Sequence, residues 1–273
     1  MVEIFHNIRK VHQFIKPCDE LADHIEFFSE SAPPVPENHF GDKIVPQFKS
    51  VKMFPSYTPT FWFNLGTPYY LNVANKQYLI KGEDDILVLR DTSVEKFKQP
   101  TDHIFTVKFL PGGLEAVLGI SQVSLIGKVI NLNTILPPAL IQKIKQPMHL
   151  EERAAMMKNF LLTRFKNKGK DHYLQFVHDC IENYDSADMQ LNTSEMAEKM
   201  FVTSKTINRY FNKVVGTSPK NYFTILRTRT ALTAYVNQKC VFTPYDFGYY
   251  DMSHFYKDVV KFTGQKLTAN SIK

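Results

Sequence analysis

The chain has 273 residues, 44% of them hydrophobic and 22% charged, with a formal net charge of +6. That is enough chain for two cored domains, and too apolar a composition for a disordered one. Cys18, Cys180 and Cys240 are odd in number and far apart, which excludes a disulfide framework and a zinc-ligand spacing and fits a reducing compartment.

The amino-terminal MVEIFHNIRK lacks the apolar run of a signal peptide, and no stretch approaches 18 consecutive apolar residues, so a cytoplasmic protein with no membrane span is expected. Residues 1–120 read as a β-rich domain. Phe61–Leu65, Tyr69–Leu71, Gln77–Ile80, Ile86–Leu89 and Ile104–Phe109 are short aromatic or β-branched runs separated by Gly, Pro, Asn and Asp. Strands of that length and spacing predict a small barrel or sandwich. Pro33–Pro36 reads as a stiff connecting arm. Trp62, Tyr69 and Tyr70 are candidates to line a ligand pocket, although alternate positions on a strand face opposite sides.

Residues 121–185 change to helical periodicity and read as a bridge, with helices over 136–144, 151–165 and 172–184 that pack inside the molecule or against a second copy. The polar stretch Asp185–Gln190 is the expected boundary. Beyond it, Asn192 or Thr193 caps a helix with Met196, Ala197 and Met200 inward, and Phe201-Val202 form a turn. Thr203 caps a second helix in which Ile207, Tyr210, Phe211, Val214 and Val215 make one buried stripe. The other side carries Lys205, Thr206, Asn208, Arg209, Asn212 and Lys213, all able to hydrogen-bond bases or phosphates and none acidic. Gly216 stops this helix, and Ser218-Pro219 starts another that runs without Gly or Pro to Gln238.

Charge follows the same division. Residues 186–273 hold 12 Lys and Arg against 6 Asp and Glu, whereas residues 1–185 hold 21 of each. A neutral front and a basic back are what a sensing module joined to a nucleic-acid reader would show.

Ala197, Met200, Val202, Thr203, Ile207, Arg209 and Phe211, followed by Gly216, Ser218, Pro219 and Tyr222 and then Arg227 and Ala231, resemble the AraC-type family of transcription regulators. The matching family patterns are A-x-x-L-x-V-S-x-x-x-L-x-R-x-F, G-x-S-P-x-x-Y and R-x-x-x-A. The resemblance implies two helix-turn-helix units held apart by the long helix, with bases read from the positions of Lys205, Asn208 and Arg209. Gly248, Tyr249, Asp251, Ser253 and Phe255 match the second unit, whose outward set is Ser253, Tyr256, Lys257 and Lys261. Pro244 replaces the usual alanine, which predicts a truncated helix ending at Gly248, and the closing G-x-x-P-x-x-Y is lost after Gly264. In the front half, Phe109-Leu110-Pro111-Gly112-Gly113 resembles the strand-to-helix phrase of the cupin-like sensor domains of such regulators.

The expected fold class is therefore α+β: a cupin-like barrel or sandwich over 1–120, a helical bridge over 121–185, and an all-α double helix-turn-helix over 186–273. Duplex DNA is the expected partner. A small-molecule effector, RNA polymerase and a second copy of the chain are the further partners such a regulator takes. No cofactor is called for. His6, His12, His24, His39 and His103 are scattered singly, with no metal-binding spacing among them, and Glu83-Asp84-Asp85 reads as a solvated loop. No phosphate loop or nucleophile motif appears. Two other readings stay open: an interaction protein that kept the fold and lost DNA recognition, and a metal-dependent barrel enzyme.

Overall fold

The computed structural model describes residues 2–3, 6–7, 12–31, 50–97, 101–165, 171–237 and 241–267. Pro33–Pro36, His39, Cys240 and the expected end of the long helix at Gln238 lie outside them. The fold is α+β, with strands in the first half and helices in the second.

Strands β1 (Val2–Glu3) and β2 (His6–Asn7) pair with each other. Then come β3 (His12–Ile15), β4 (Ile25–Ser31), β5 (Ser50–Met53), β6 (Pro59–Asn64), β7 (Tyr69–Val73), β8 (Lys76–Ile80), β9 (Ile86–Leu89), β10 (Val94–Phe97), β11 (Ile104–Phe109) and β12 (Val129–Asn131). They form a six-stranded sheet in the order β12-β9-β6-β11-β4-β3 and a four-stranded sheet in the order β5-β10-β7-β8, antiparallel throughout. Two packed antiparallel sheets answer to the barrel or sandwich expected for the front half.

The six-stranded sheet is covered on both sides, and its central strands show why. Phe61, Phe63, Leu87, Leu89, Phe105 and Val107 belong to one core cluster, while Trp62, Ile86, Val88 and Ile104 belong to another. Successive side chains face opposite ways, so a strand buried on both faces reads as an unbroken apolar run. One face is roofed by α1 (Gly113–Leu118), α2 (Pro138–Ile144) and α3 (Leu150–Arg164). The opposite face packs against Tyr69, Leu71, Val73, Ile80 and Val94 of the four-stranded sheet.

β3, β4, β5 and β10 carry charged or polar residues that hide them from an apolar count, and the structure explains those residues individually. Glu30 of β4 accepts two hydrogen bonds from Arg153 Nη1 at 2.9 and 3.0 Å and lies 2.6 Å from His103 Nε2. Glu26 of the same strand pairs with Lys108 of β11 at 2.8 Å. The Glu83-Asp84-Asp85 cluster is not uniformly solvated: Asp85 is fully buried, accepting from the Asn64 amide at 2.8 Å and pairing with Lys145 at 3.2 Å. Its carboxyl is pushed up by burial, against the opposing pull of Lys145.

Gly113 shows why the turn into α1 holds two glycines. A Cβ there would sit 2.1 Å from the His24 carbonyl oxygen, and Gly112 before it has φ +77°, in the left-handed region.

The remaining helices are α4 (His172–Ser186), α5 (Thr193–Lys199), α6 (Ser204–Val214), α7 (Pro219–Asn237) and α8 (Met252–Thr263). All five share one hydrophobic cluster. The sequence pattern places α4 in the bridge. In the structure its Leu174, Val177, Cys180 and Tyr184 pack among residues of α5–α8, and Tyr184 stacks on Phe223 at 4.2 Å. Two front-half residues, Phe54 and Tyr57, belong to the same cluster.

Candidate nucleic-acid interface

The first helix-turn-helix is assembled by local signals. Asn192 caps α5, its Oδ1 accepting from the Ser194 and Glu195 amides, while Glu195 reaches back to the Asn192 amide at 2.8 Å. Phe201 takes a left-handed φ of +53° and Val202 N donates to Ala197 O, turning the chain sharply. Thr203 then caps α6 through the Thr206 amide.

On α6 the buried stripe is Ile207, Phe211 and Val214, with Tyr210 half-buried against Tyr173 and Phe176 of α4. Lys205, Arg209, Asn212 and Lys213 are exposed; Thr206 and Asn208 are half-buried. The structure therefore brings all six residues singled out from sequence onto or beside one cationic strip. Several are engaged by their own neighbours. Asn208 donates to Ser204 O and Asn212 to Asn208 O, Arg209 lies 5.2 Å from the Tyr210 ring, and Lys213 Nζ sits 3.5 Å above the Tyr173 ring. Tyr173 is the contact that sequence reading misses, because it belongs to a helix assigned elsewhere.

Helix α7 has 19 residues, about 28 Å at 1.5 Å per residue, against roughly 34 Å between successive major-groove faces of a duplex. It carries Arg227, which clamps the second unit. The guanidinium donates to Gly248 O and to Asp258 Oδ2, both at 3.2 Å, and lies 4.3 Å from the Tyr249 ring. Burial pushes the Tyr249 phenol up to about 12, so it stays neutral and shares a hydrogen bond with Thr228 at 2.8 Å.

Pro244 shortens the first helix of that unit to a 3-10 turn over Pro244–Phe247, ended by Gly248 at φ +67°. The proline lacks the amide donor that a longer helix would use. Asp251 caps α8 through the His254 amide, Phe255 and Val259 face inward, and Ser253, Tyr256, Lys257 and Lys261 are exposed.

The aromatic trio of the front domain is split. Trp62 and Tyr69 meet between the two sheets with ring centroids 6.4 Å apart, whereas Tyr70 lies on the outer surface, 45% exposed. Among the described residues, no three His, Cys, Asp or Glu side chains gather as metal ligands would, and no helix is long and apolar enough to cross a membrane.

Residues 196–269 match a family model described as a helix-turn-helix domain. The carboxy-terminal part of the chain thus carries a helix-turn-helix domain, the class of module that binds DNA. The match agrees with the helix-turn-helix motifs, which resemble those of the AraC type. No curated protein matches the chain. Among solved structures, it is similar to ToxT from Vibrio cholerae at 10% identity and a TM-score of 0.48, covering 81% of this chain and 96% of that one. ToxT from Vibrio cholerae O395 gives 8% identity and 0.47, with 82% and 95% covered. The AraC-like transcriptional activator CuxR gives 9% identity and 0.31, with 84% and 88% covered.

Proposed function

We propose that the protein is a sequence-specific DNA-binding transcription regulator that reads the major groove with the helix over 204–215 and, more weakly, with the helix over 252–262. The observation that carries this reading is the exposed strip of Lys205, Arg209, Asn212 and Lys213 on a helix whose opposite side is locked into the core. Lys205, Asn208 and Arg209 in its first turns reach base edges, and Asn212 and Lys213 further along meet phosphate. Ser253, Tyr256, Lys257 and Lys261 supply the second set.

The domain limits follow as a proposal too. They are 1–120 for the front domain, 121–185 for the bridge and 186–273 for the reader, with α4 at the end of the bridge sharing the reader's core. Residues before the reader form a front module through which an effector or partner acts; RNA polymerase and a second copy of the chain are the macromolecular partners, and the cytoplasm is the compartment. The 3-10 turn at Pro244–Phe247 favours one rival in part, a second unit that docks on phosphate without reading bases.

Selection of bound fragments from genomic DNA tests the reading: a shared motif among the retained fragments is expected, and retention without enrichment of any sequence would refute it. Lys213→Ala is expected to weaken binding to cognate and random duplexes alike and to flatten the salt dependence by about one unit of slope. Its ammonium rests on the Tyr173 ring, so Tyr173→Leu should free it and leave that slope unchanged. Titrations at several salt concentrations check both.

A further inference from the structure

Gln122 is a polar residue with no exposed surface, held in a 3-10 turn over Gln122–Leu125 of the front half. Its Oε1 accepts from the Gly112 amide at 2.6 Å. Its Nε2 donates to Tyr57 O at 3.2 Å and to Val215 O at 2.8 Å. Val215 is the residue that closes the recognition helix α6. One side chain therefore ties two front-domain loops to the carboxy-terminal end of the reading helix.

The surroundings leave that end little room to shift. A Cβ on Gly112 would lie 2.4 Å from Leu174 Cδ1 of α4 and 2.8 Å from Val214 Cγ1 of α6. The turn after α6 rests on the same 3-10 segment, where a Cβ on Gly216 would lie 3.0 Å from Ile126 Cδ1. Asn221 at the start of α7 donates to the Tyr57 hydroxyl at 3.5 Å. Across the module, Phe54 meets Phe262 of α8 with ring centroids 5.8 Å apart. The front domain thus touches α4, α6, α7 and α8.

We propose that Gln122 is a positioning residue for DNA reading, and that the front domain is the seat on which both helix-turn-helix units are held in register, rather than a separable sensor. A buried side-chain amide with all three hydrogen bonds made to backbone groups specifies one position, because any sliding of α6 would leave buried donors and acceptors unsatisfied. Two units held at a fixed separation bind a two-site duplex with the gain of a linked pair, and that gain falls when the separation is free to vary. The proposal rests on the DNA-reading assignment above for its binding arm alone.

The test compares the full chain with Gln122→Leu and Gln122→Glu. The glutamate keeps an acceptor for the Gly112 amide and loses the donor to Val215 O and Tyr57 O. Amide exchange by mass spectrometry over residues 211–217 is expected to quicken at least tenfold in both variants, with exchange over 61–63 in the front core unchanged. Affinity for a selected genomic fragment is expected to fall at least tenfold, while affinity for the same fragment cut to its first half-site changes less than twofold. A general loss of stability would instead lower both affinities together and quicken exchange in the front core, which would overturn the proposal. So would unchanged exchange over 211–217. If the full chain binds no duplex, the DNA-reading assignment fails, and the exchange arm alone decides whether Gln122 seats α6.

Discussion

Alanine in place of Arg209 is expected to lower affinity for the cognate duplex by roughly 1 to 3 kcal/mol, about five- to 150-fold, with a much smaller loss on random DNA. The side chain is exposed on the second turn of α6, on the side opposite Ile207, Phe211 and Val214, so its removal takes nothing from the core. What it removes is a planar fork of donors that matches the two acceptors of a guanine edge. Arg209→Lys should recover the charge and little of the specificity, since an ammonium cannot make the paired contact. The stacking on Tyr210, at 5.2 Å and in solvent, contributes only about 0.5 to 1 kcal/mol, so the melting temperature should barely move. A salt-controlled titration against cognate and shuffled duplexes checks this. Equal affinity of wild type and Arg209→Ala for the cognate would remove Arg209 from the reading set.

Arg153→Ala is expected to destabilise the front domain by about 3 kcal/mol, because it removes the main charge partner of a half-buried carboxylate and strands three carbonyls. Arg153 is 3% exposed. It donates from Nε to Ile144 O at 2.9 Å, from Nη1 to Met148 O at 2.7 Å and to both Glu30 oxygens, and from Nη2 to Gln146 O at 3.0 Å. The guanidinium thereby closes the connection between α2 and α3 and pins both to β4.

The same site predicts an acid limb. Burial alone would raise the Glu30 carboxyl, but the hydrogen bond from His103 and the charge of Arg153 hold it below its ordinary value of 4.5. A carboxyl whose folded value is depressed contributes stability that is complete above the unfolded value and lost as pH falls through the folded one. The gap between wild type and Arg153→Ala should therefore be full above about pH 5 and shrink below 4.5. Urea unfolding curves across that range provide the measurement. A gap independent of pH would mean that the ion pair is not what holds β4 to α3.

The elements legible in the sequence are those whose periodicity is local. Helix α6 announces itself by Ile207, Phe211 and Val214 at three- and four-residue spacing, and its ends by Thr203 and Gly216. Strands β6, β9 and β11 do so by unbroken apolar runs. Strand β4 escapes such a reading because Glu26 and Glu30 interrupt its pattern, and the residues that make those charges tolerable lie far along the chain at Lys108, His103 and Arg153. Tyr69 and Tyr70 look alike in sequence, yet one is buried between the sheets and the other stands in solvent. Alternation separates neighbours, but only the packing of the four-stranded sheet on the six-stranded one says which face is covered.

By itself the sequence determined that this protein carries a cationic helix-turn-helix, which residues cap its first two helices, and that a β-rich domain precedes it, because capping, turn geometry and one-face burial are decided within a few residues. Only the tertiary structure decided that α4 packs with the reader, that Tyr173 lies beneath Lys213, and that Gln122 links the two halves. Those contacts join groups far apart along the chain, 93 positions in the case of Gln122 and Val215, and no local pattern encodes such a pairing.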